Sequence, residues 1–489
     1  MSTTTTTPDI CLLPARALAA RIRKRTLSSR EVVSAFLQQI DALNPTYNAI
    51  VSMVDRDQVL QQADAADAAV ARGNATGPLH GLPQAIKDTA PARGIRSTFG
   101  SPLYAQHVPT EDAIMVARMR AAGAIFIGKT NVPEFGLGSH TYNPVFGATR
   151  NAWNPARSAG GSSGGAAVAL ALRMLPVADG ADMGGSLRNP AGFNNVLGFR
   201  PSQGRVPLWP RGEAFTNQLT TEGPMGRSAD DLALLLSVQA GYDARVPLSL
   251  DSAVPDWHAD LAHDFKDARI AWLGDLGGRL PFEDGILPLC ESALRRFEGA
   301  GIQVDAVAPR FDWSRSWRAF TVLRQFGMGM RYGPSYDKPA ERALMKPELQ
   351  WEMEQGRALS AADVQQALVD RTALYDCFLG LFAQHDFLAL PTAQVFPFAV
   401  EEHWPRSIAG RTMDSYHRWM EVVTPGTLSG CPVISLPAGF GAQGLPMGVQ
   451  IIGRPRGDLS VLQLTHLYEQ LSPWLSQLPP ALSATKEQR

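Results

Sequence analysis

The stretch at 157–190, RSAGGSSGGAAVALALRMLPVADGADMGGSLRNP, decides how the chain is read. It carries two Gly/Ser clusters, Gly160-Gly161-Ser162-Ser163-Gly164-Gly165 and Gly184-Gly185-Ser186, separated by an apolar run from Ala166 to Leu172. Glycine lets the backbone turn sharply and lets a ligand approach main-chain N–H groups. A serine hydroxyl becomes a nucleophile when a base stands beside it. The stretch therefore reads as an acyl-transfer site with its own oxyanion hole. A flexible Gly/Ser linker is the other reading, and AAVALALRML weighs against it, because that run reads as a buried helix.

The base is the next question. The chain has nine histidines, one of them (His140) in the loop at 132–156, but none forms a Ser/His/Asp pattern. Gly160 to Gly164 matches G-x-S-x-G with Ser162 at its centre. That motif needs a buried strand before it, and RNAWNPARSA does not read as one. A phosphate loop is excluded because no Gly-Lys-Ser/Thr follows the glycines. A desolvated lysine remains, since burial pulls its pKa toward neutrality. Lys87 stands at the end of the apolar stretch Leu82 to Ile86. Taken alone it reads as a solvated lysine at a strand end, because lysine is rarely buried unpaired.

Around this centre the chain alternates. Helical spacing runs through 12–45, with an N-cap expected at Ser28-Ser29-Arg30-Glu31, and through 55–72, 112–122, 288–300 and 459–471. Ser228 is placed to cap another helix. Strands are expected at 82–86, in GAIFIG, and in ARIAW and GIQVDAV around the 288–300 helix; FLALPTA (387–393) and GLPMGVQIIG (444–453) flank a stretch, 424–440, that is expected to be an apolar loop. This β-α-β alternation predicts an α/β fold with a large, mostly parallel sheet covered on both faces by helices. No long linker divides the chain, so 1–489 is expected to be one domain, with a disordered tip over 1–10. The aromatic-rich segment 311–351 has two readings: pocket lining, or helices anchored on the main body.

Hydrophobic residues make up 45% and charged residues 19%, enough apolar content for a large core. A net charge of −1 argues against nucleic acid or an anionic membrane surface as partner. Four cysteines, Cys11, Cys290, Cys377 and Cys431, are scattered without metal-ligand spacing, as expected for reduced thiols in a cytoplasmic protein. No signal peptide or membrane span is expected.

The residues also carry a resemblance. Lys87 after an apolar strand, then GGSSGG at 160–165, then Asp182-Met183-Gly184-Gly185-Ser186-Leu187-Arg188, with Ser186 following Ser162 by 24 residues, resembles the amidase signature family. GKTNVPEFG (128–136), NPVFGATRNAWNP (143–155), GFRPSQGRVP (198–207), EGPMGRSADDLALLL (222–236) and GLPMGVQIIG (444–453) agree with it. The resemblance implies the amidase signature fold, with a mixed sheet, and hydrolysis of an amide-type C–N bond. It implies Ser186 as nucleophile, Ser162 as a bridging serine with a cis bond to Gly161, and Lys87 as terminal base. It further implies an oxyanion hole from the N–H groups of Met183, Gly184, Gly185 and Ser186, and an acyl pocket around Gly136 and Gly138. Asp182 and Arg188 are read as ordering the turn. No metal or cofactor is implied. The substrate is expected to be a small amide or carbamate, apolar or aromatic, with ester hydrolysis as a side activity. Its side groups would be read by a variable region within 240–425, chiefly 310–355 and 395–425. Homodimers are common in the family. The alternatives are the amidase component of a tRNA-dependent amidotransferase and a non-catalytic scaffold of the same fold.

Overall fold

The structure, a computed structural model, describes residues 9–75, 77–216, 219–251, 257, 261–472 and 477–483. Its strands, in chain order, begin with β1 (Ile50–Val51), β2 (Pro83–Lys87) and β3 (Ile125–Thr130). Next come β4 (Ala178–Asp182), β5 (Leu197–Arg200), β6 (Thr221–Gly226), β7 (Arg269–Trp272), β8 (Gln303–Ala306) and β9 (Phe387–Pro391). A small hairpin of β10 (Ser407–Ile408) and β11 (Arg411–Thr412) precedes β12 (Val433–Phe440) and β13 (Pro446–Gly453). The centre of the molecule is an eight-stranded sheet with the order β4-β6-β5-β12-β13-β9-β7-β8.

The α/β class and the mixed sheet are as expected, but the sheet is mostly antiparallel, not mostly parallel. Only β9–β7 and β7–β8 pair in parallel. The β-α-β pattern around 268–306 is present, since β7 and β8 flank the helix Ile286–Glu298 and run side by side. Elsewhere two features reverse the pairing. β6 slots between β4 and β5 and runs against both. β12 and β13 form a hairpin across a turn at Gly441 and Gly444.

A second, three-stranded sheet has the order β1-β3-β2. Its edge strand β2 meets β4, the edge of the large sheet, where Lys87 N–H donates to both carboxylate oxygens of Asp179, at 3.3 and 3.1 Å. The site lies at this seam.

The helices follow the sequence closely. Ser28 caps Ser29–Tyr47 in a reciprocal capping box with Glu31, and Val32, Val33, Phe36 and Ile40 face the core. Ser228 caps Ala229–Gln239. Of the expected disordered tip, residues 1–8 lie outside the described residues. Asp9 and Ile10 instead open a helical turn, Asp9–Leu12, anchored by the buried side chain of Cys11. Segment 311–351 serves both roles expected of it. In the helix Trp313–Tyr336, Trp313 and Phe320 join the main core, while Met328 and Tyr332 line a cavity. Among the described residues, no helix is long and apolar enough to cross a membrane.

The helix Gly164–Ala171, GGAAVALA, is buried on all sides, as its lack of polar side chains allows. Its packing is close enough to reverse an ordinary rule. Alanine in place of a helical glycine normally stabilises by up to about 1 kcal/mol. A Cβ on Gly165 would lie 2.4 Å from Asn131 N and 2.5 Å from Ala49 O, both backbone atoms. Gly165→Ala is expected to lower stability by about 1–3 kcal/mol, read from urea unfolding. An unchanged or raised midpoint would contradict this packing.

Candidate active site

Two loops and one strand end build the site. β2 delivers Lys87 to the seam. The segment 160–163 runs into the helix Gly164–Ala171 and carries Ser162 and Ser163, with a cis Gly161–Ser162 peptide as expected. The turn 183–186 follows β4 and leads into the helix Arg188–Asn194. Ser163 N–H donates to Ser186 O at 3.1 Å, which ties the two loops together.

The Lys87 side chain is 2% exposed. Its Nζ lies 2.8 Å from Ser162 Oγ, 2.8 Å from Ser163 Oγ and 3.0 Å from Ala181 O. Burial pulls its pKa down to about 7, against the opposing pull of Asp179, Asp182 and Glu222. This lysine is therefore not a solvated strand end. A second lysine, Lys129 on β3, is also buried. It donates to Ala90 O at 2.5 Å and faces Asp88 and Asp179.

Asp182 organises the turn that carries Ser186. It accepts from Gly185 N–H (2.9 Å) and Leu187 N–H (3.1 Å), and from Arg188 Nε (3.0 Å) and Nη2 (2.9 Å). Arg200 lies 3.3 Å away on its other side. All three charged side chains are fully buried. Burial alone would raise the Asp182 carboxyl, but the two guanidinium groups hold it well below the usual carboxylate range. Arg188 also donates to Val423 O, Gln450 Oε1 and Thr427 Oγ1, so the turn is pinned to distant parts of the chain.

A cavity of about 680 Å³ opens onto these groups. Lys87, Ser162, Ala181, Met183 and Ser186 line its floor. Phe99, Phe135, Met328 and Tyr332 supply apolar lining, and Trp209 to Glu213 line it as well. Gly136 borders it with φ +71°, and a Cβ there would lie 3.4 Å from Ser162 Oγ.

Three expectations are corrected. Gly138 is not among the lining residues; a Cβ on it would point at the Tyr416 ring, 3.6 Å away. Gly185 N–H is committed to Asp182, so it is not a free member of the four-donor set. Within 395–425 no residue lines the cavity; this segment packs behind it. Tyr416 OH donates to Glu352 Oε1 (2.6 Å), which also holds Arg324 Nε (2.6 Å) at the cavity wall. Lys346 fastens the helical segment to the Gly136 loop by donating to Leu137 O at 2.7 Å.

Sequence reasoning misses Ser163, Asp179, Glu222 and the 209–213 lining. Ser163 and Glu222 stand inside quoted motifs, and only cross-strand geometry shows what they face.

Comparison with known proteins shows the family. The family model described as Amidase matches residues 31–462, and the chain belongs to that family. An acylamidase of Rhodococcus erythropolis is 34% identical over 475 residues, covering 96% of this chain and 97% of that protein. A glutamyl-tRNA(Gln) amidotransferase component from Thermosynechococcus vestitus is 33% identical, covering 94% and 98%. Among solved structures, a bacterial aryl acylamidase of the amidase signature enzymes superposes with a TM-score of 0.89 at 29% identity, covering 96% of this chain and 98% of that one. A 6-aminohexanoate cyclic dimer hydrolase with bound substrate gives 0.86 at 25% identity, covering 97% and 100%.

Removing Arg188 tests the anchor of the turn. Its loss leaves Asp182 with Arg200 as ion partner but strips Val423 O, Gln450 Oε1 and Thr427 Oγ1 of a buried donor, and leaving buried acceptors unsatisfied typically costs about 1–3 kcal/mol. Arg188→Met is expected to destabilise by that amount in urea unfolding. Wild-type stability would show that the pair does not order the turn.

Proposed function

We propose that this protein hydrolyses small acylamides through an acyl-enzyme on Ser186, with Ser162 and Lys87 carrying the proton. One observation carries the reading: a fully buried lysine amine within 2.8 Å of Ser162 Oγ, on the floor of a cavity that also exposes Ser186. A neutral amine fits its three contacts. Its two N–H bonds donate to Ala181 O and Ser163 Oγ, and its lone pair accepts from the Ser162 hydroxyl.

The steps then balance. Ser186 Oγ attacks the amide carbon and passes its proton to Ser162, whose own proton goes to Lys87. The carbonyl oxygen becomes an oxyanion beside the main-chain N–H groups of Met183, Gly184 and Ser186; a donor of this kind is typically worth about 2.7–4 kcal/mol in the transition state. The proton returns through Ser162 to the leaving nitrogen, and the C–N bond breaks. Water then repeats the sequence on the ester and frees the acid. The apolar lining of Phe99, Phe135, Met328 and Tyr332 suits an aryl or alkyl group on the substrate, in keeping with the acylamidase and aryl acylamidase relatives. Carbamates and esters pass through the same intermediate and are expected as secondary substrates. The likeness to an amidotransferase component supports a second reading, amide transfer from glutamine together with a partner protein. A glutaminase activity appearing only with such a partner would favour it over acylamide hydrolysis by the chain alone.

Ser186→Ala is expected to abolish acetanilide hydrolysis and fluorophosphonate labelling, and near-normal turnover by that variant would end this reading. Lys87→Met is expected to lower kcat by about 10²–10⁴-fold while the protein stays folded by circular dichroism. On the acid side, kcat/KM of the wild type should rise with pH through about 7, as Lys87 loses its proton. A flat profile across that region, with chemistry rate-limiting, would exclude Lys87 as the base.

A further inference from the structure

Glu222 is a buried carboxyl that the steps above do not use. It sits on β6 directly opposite Ala181 of β4, and opposed residues of an antiparallel pair project to the same face. Asp179, two residues along β4, shares that face. Ala181 O holds the Lys87 amine and Asp179 holds the Lys87 N–H, so Glu222 stands on the face that β2 covers. It lines the same cavity as Lys87, Ser162 and Ser186. The side chain is 4% exposed, and its Oε2 has no hydrogen-bond partner.

The local charges decide its protonation. Lys129 faces Asp88, Asp112 and Asp179. Asp182 is already balanced by Arg188 and Arg200. Lys87 therefore faces Asp179 and Glu222 beyond the balanced Asp182, and Glu222 itself has Lys87 and Arg211 as cations and Asp179 as a like neighbour. If Lys87 is neutral, an ionised Glu222 would lie buried beside Asp179, with only Arg211 to compensate. If Glu222 is ionised, its field draws a proton back onto Lys87 and opposes the oxyanion in the same cavity.

We propose that Glu222 is a positioning residue that works as a neutral acid, holding its proton whenever Lys87 acts as the base, so that its ionisation closes the active pH range from above. Burial and the like charge of Asp179 push its carboxyl up to about 8, and burial brings the Lys87 amine down to about 7, so the two groups change charge in the same region. The two groups thus bound a window: Lys87 opens it and Glu222 closes it. This inference rests on the Ser186–Ser162–Lys87 reading.

The test is the pH dependence of kcat/KM for an aryl acylamide, together with the rate of fluorophosphonate labelling of Ser186, in wild type, Glu222→Gln and Glu222→Met. The wild type should rise through about 7 and fall above about 8, approaching about tenfold per pH unit once Glu222 is ionised. Glu222→Gln keeps a neutral group of the same shape. It should retain the acid limb, at the same or lower pH, and lose the alkaline fall in both readouts. Glu222→Met should do the same and serves if the glutamine variant does not fold. An alkaline fall that persists in either folded variant overturns the proposal, as does a wild type that stays flat above pH 8. A change in KM alone, with an unchanged profile, overturns it in favour of direct substrate contact. Ser186→Ala separates the two levels: if it retains activity, the acyl-enzyme reading has failed, whereas an inactive Ser186→Ala with an unaltered Glu222→Gln profile removes only the role of Glu222.

Discussion

An amine that cannot reach water must be paired or neutral, and the architecture of this protein turns on how Lys87 meets that condition. Its Nζ has two hydroxyls and a carbonyl around it and no carboxylate in hydrogen-bond contact. Asp179, the carboxylate that acts on it most strongly, is engaged with the main-chain N–H of the same residue. The charge therefore gains less from its partners than it loses by burial, and the pKa falls to about 7. A carboxylate against Nζ would have anchored the strand equally well and left no usable lone pair.

The second constraint is the buried cluster of Asp182, Arg188 and Arg200. Such clusters are weak evidence for stability, because desolvation offsets attraction. Here the geometry assigns a different benefit. Asp182 directs its acceptor capacity to two main-chain N–H groups of the turn around Ser186, and Arg188 carries the connection outward to Val423, Thr427 and Gln450. The turn cannot shift without disturbing the large sheet. Phe320 presses on the same turn from the helix Trp313–Tyr336, with its Cζ 3.0 Å from where a Cβ on Gly184 would be. The helix that lines the cavity thus also supports the turn that carries Ser186.

Much of this is legible in the chain itself. Capping at Ser28 and Ser228 and the apolar run at 166–172 mark their helices locally, because caps and periodicity act within a few residues. The role of Lys87 is not local: its stretch reads as a surface strand end, and the resemblance alone points inward. Sheet polarity is hidden because β6 inserts between β4 and β5 from later in the chain. Glu222 is hidden for the same reason, since its meaning comes from the register that sets it opposite Ala181. Ser163 is hidden by its neighbour: of two adjacent serines, only the backbone path decides which faces what.

The seam between the sheets has one more implication. Lys87 belongs to the three-stranded sheet, while Ser186 and its turn belong to the eight-stranded one. The proposed site is therefore assembled from two sheets, joined at this point by bonds through the side chains of Asp179 and Lys87 in place of a ladder of main-chain bonds. Local opening follows the weakest joints of a structure. A partial separation here would part Lys87 from Ser186 while each sheet kept its own ladder, so under the proposed mechanism activity reports on the junction and not on the folding of either half.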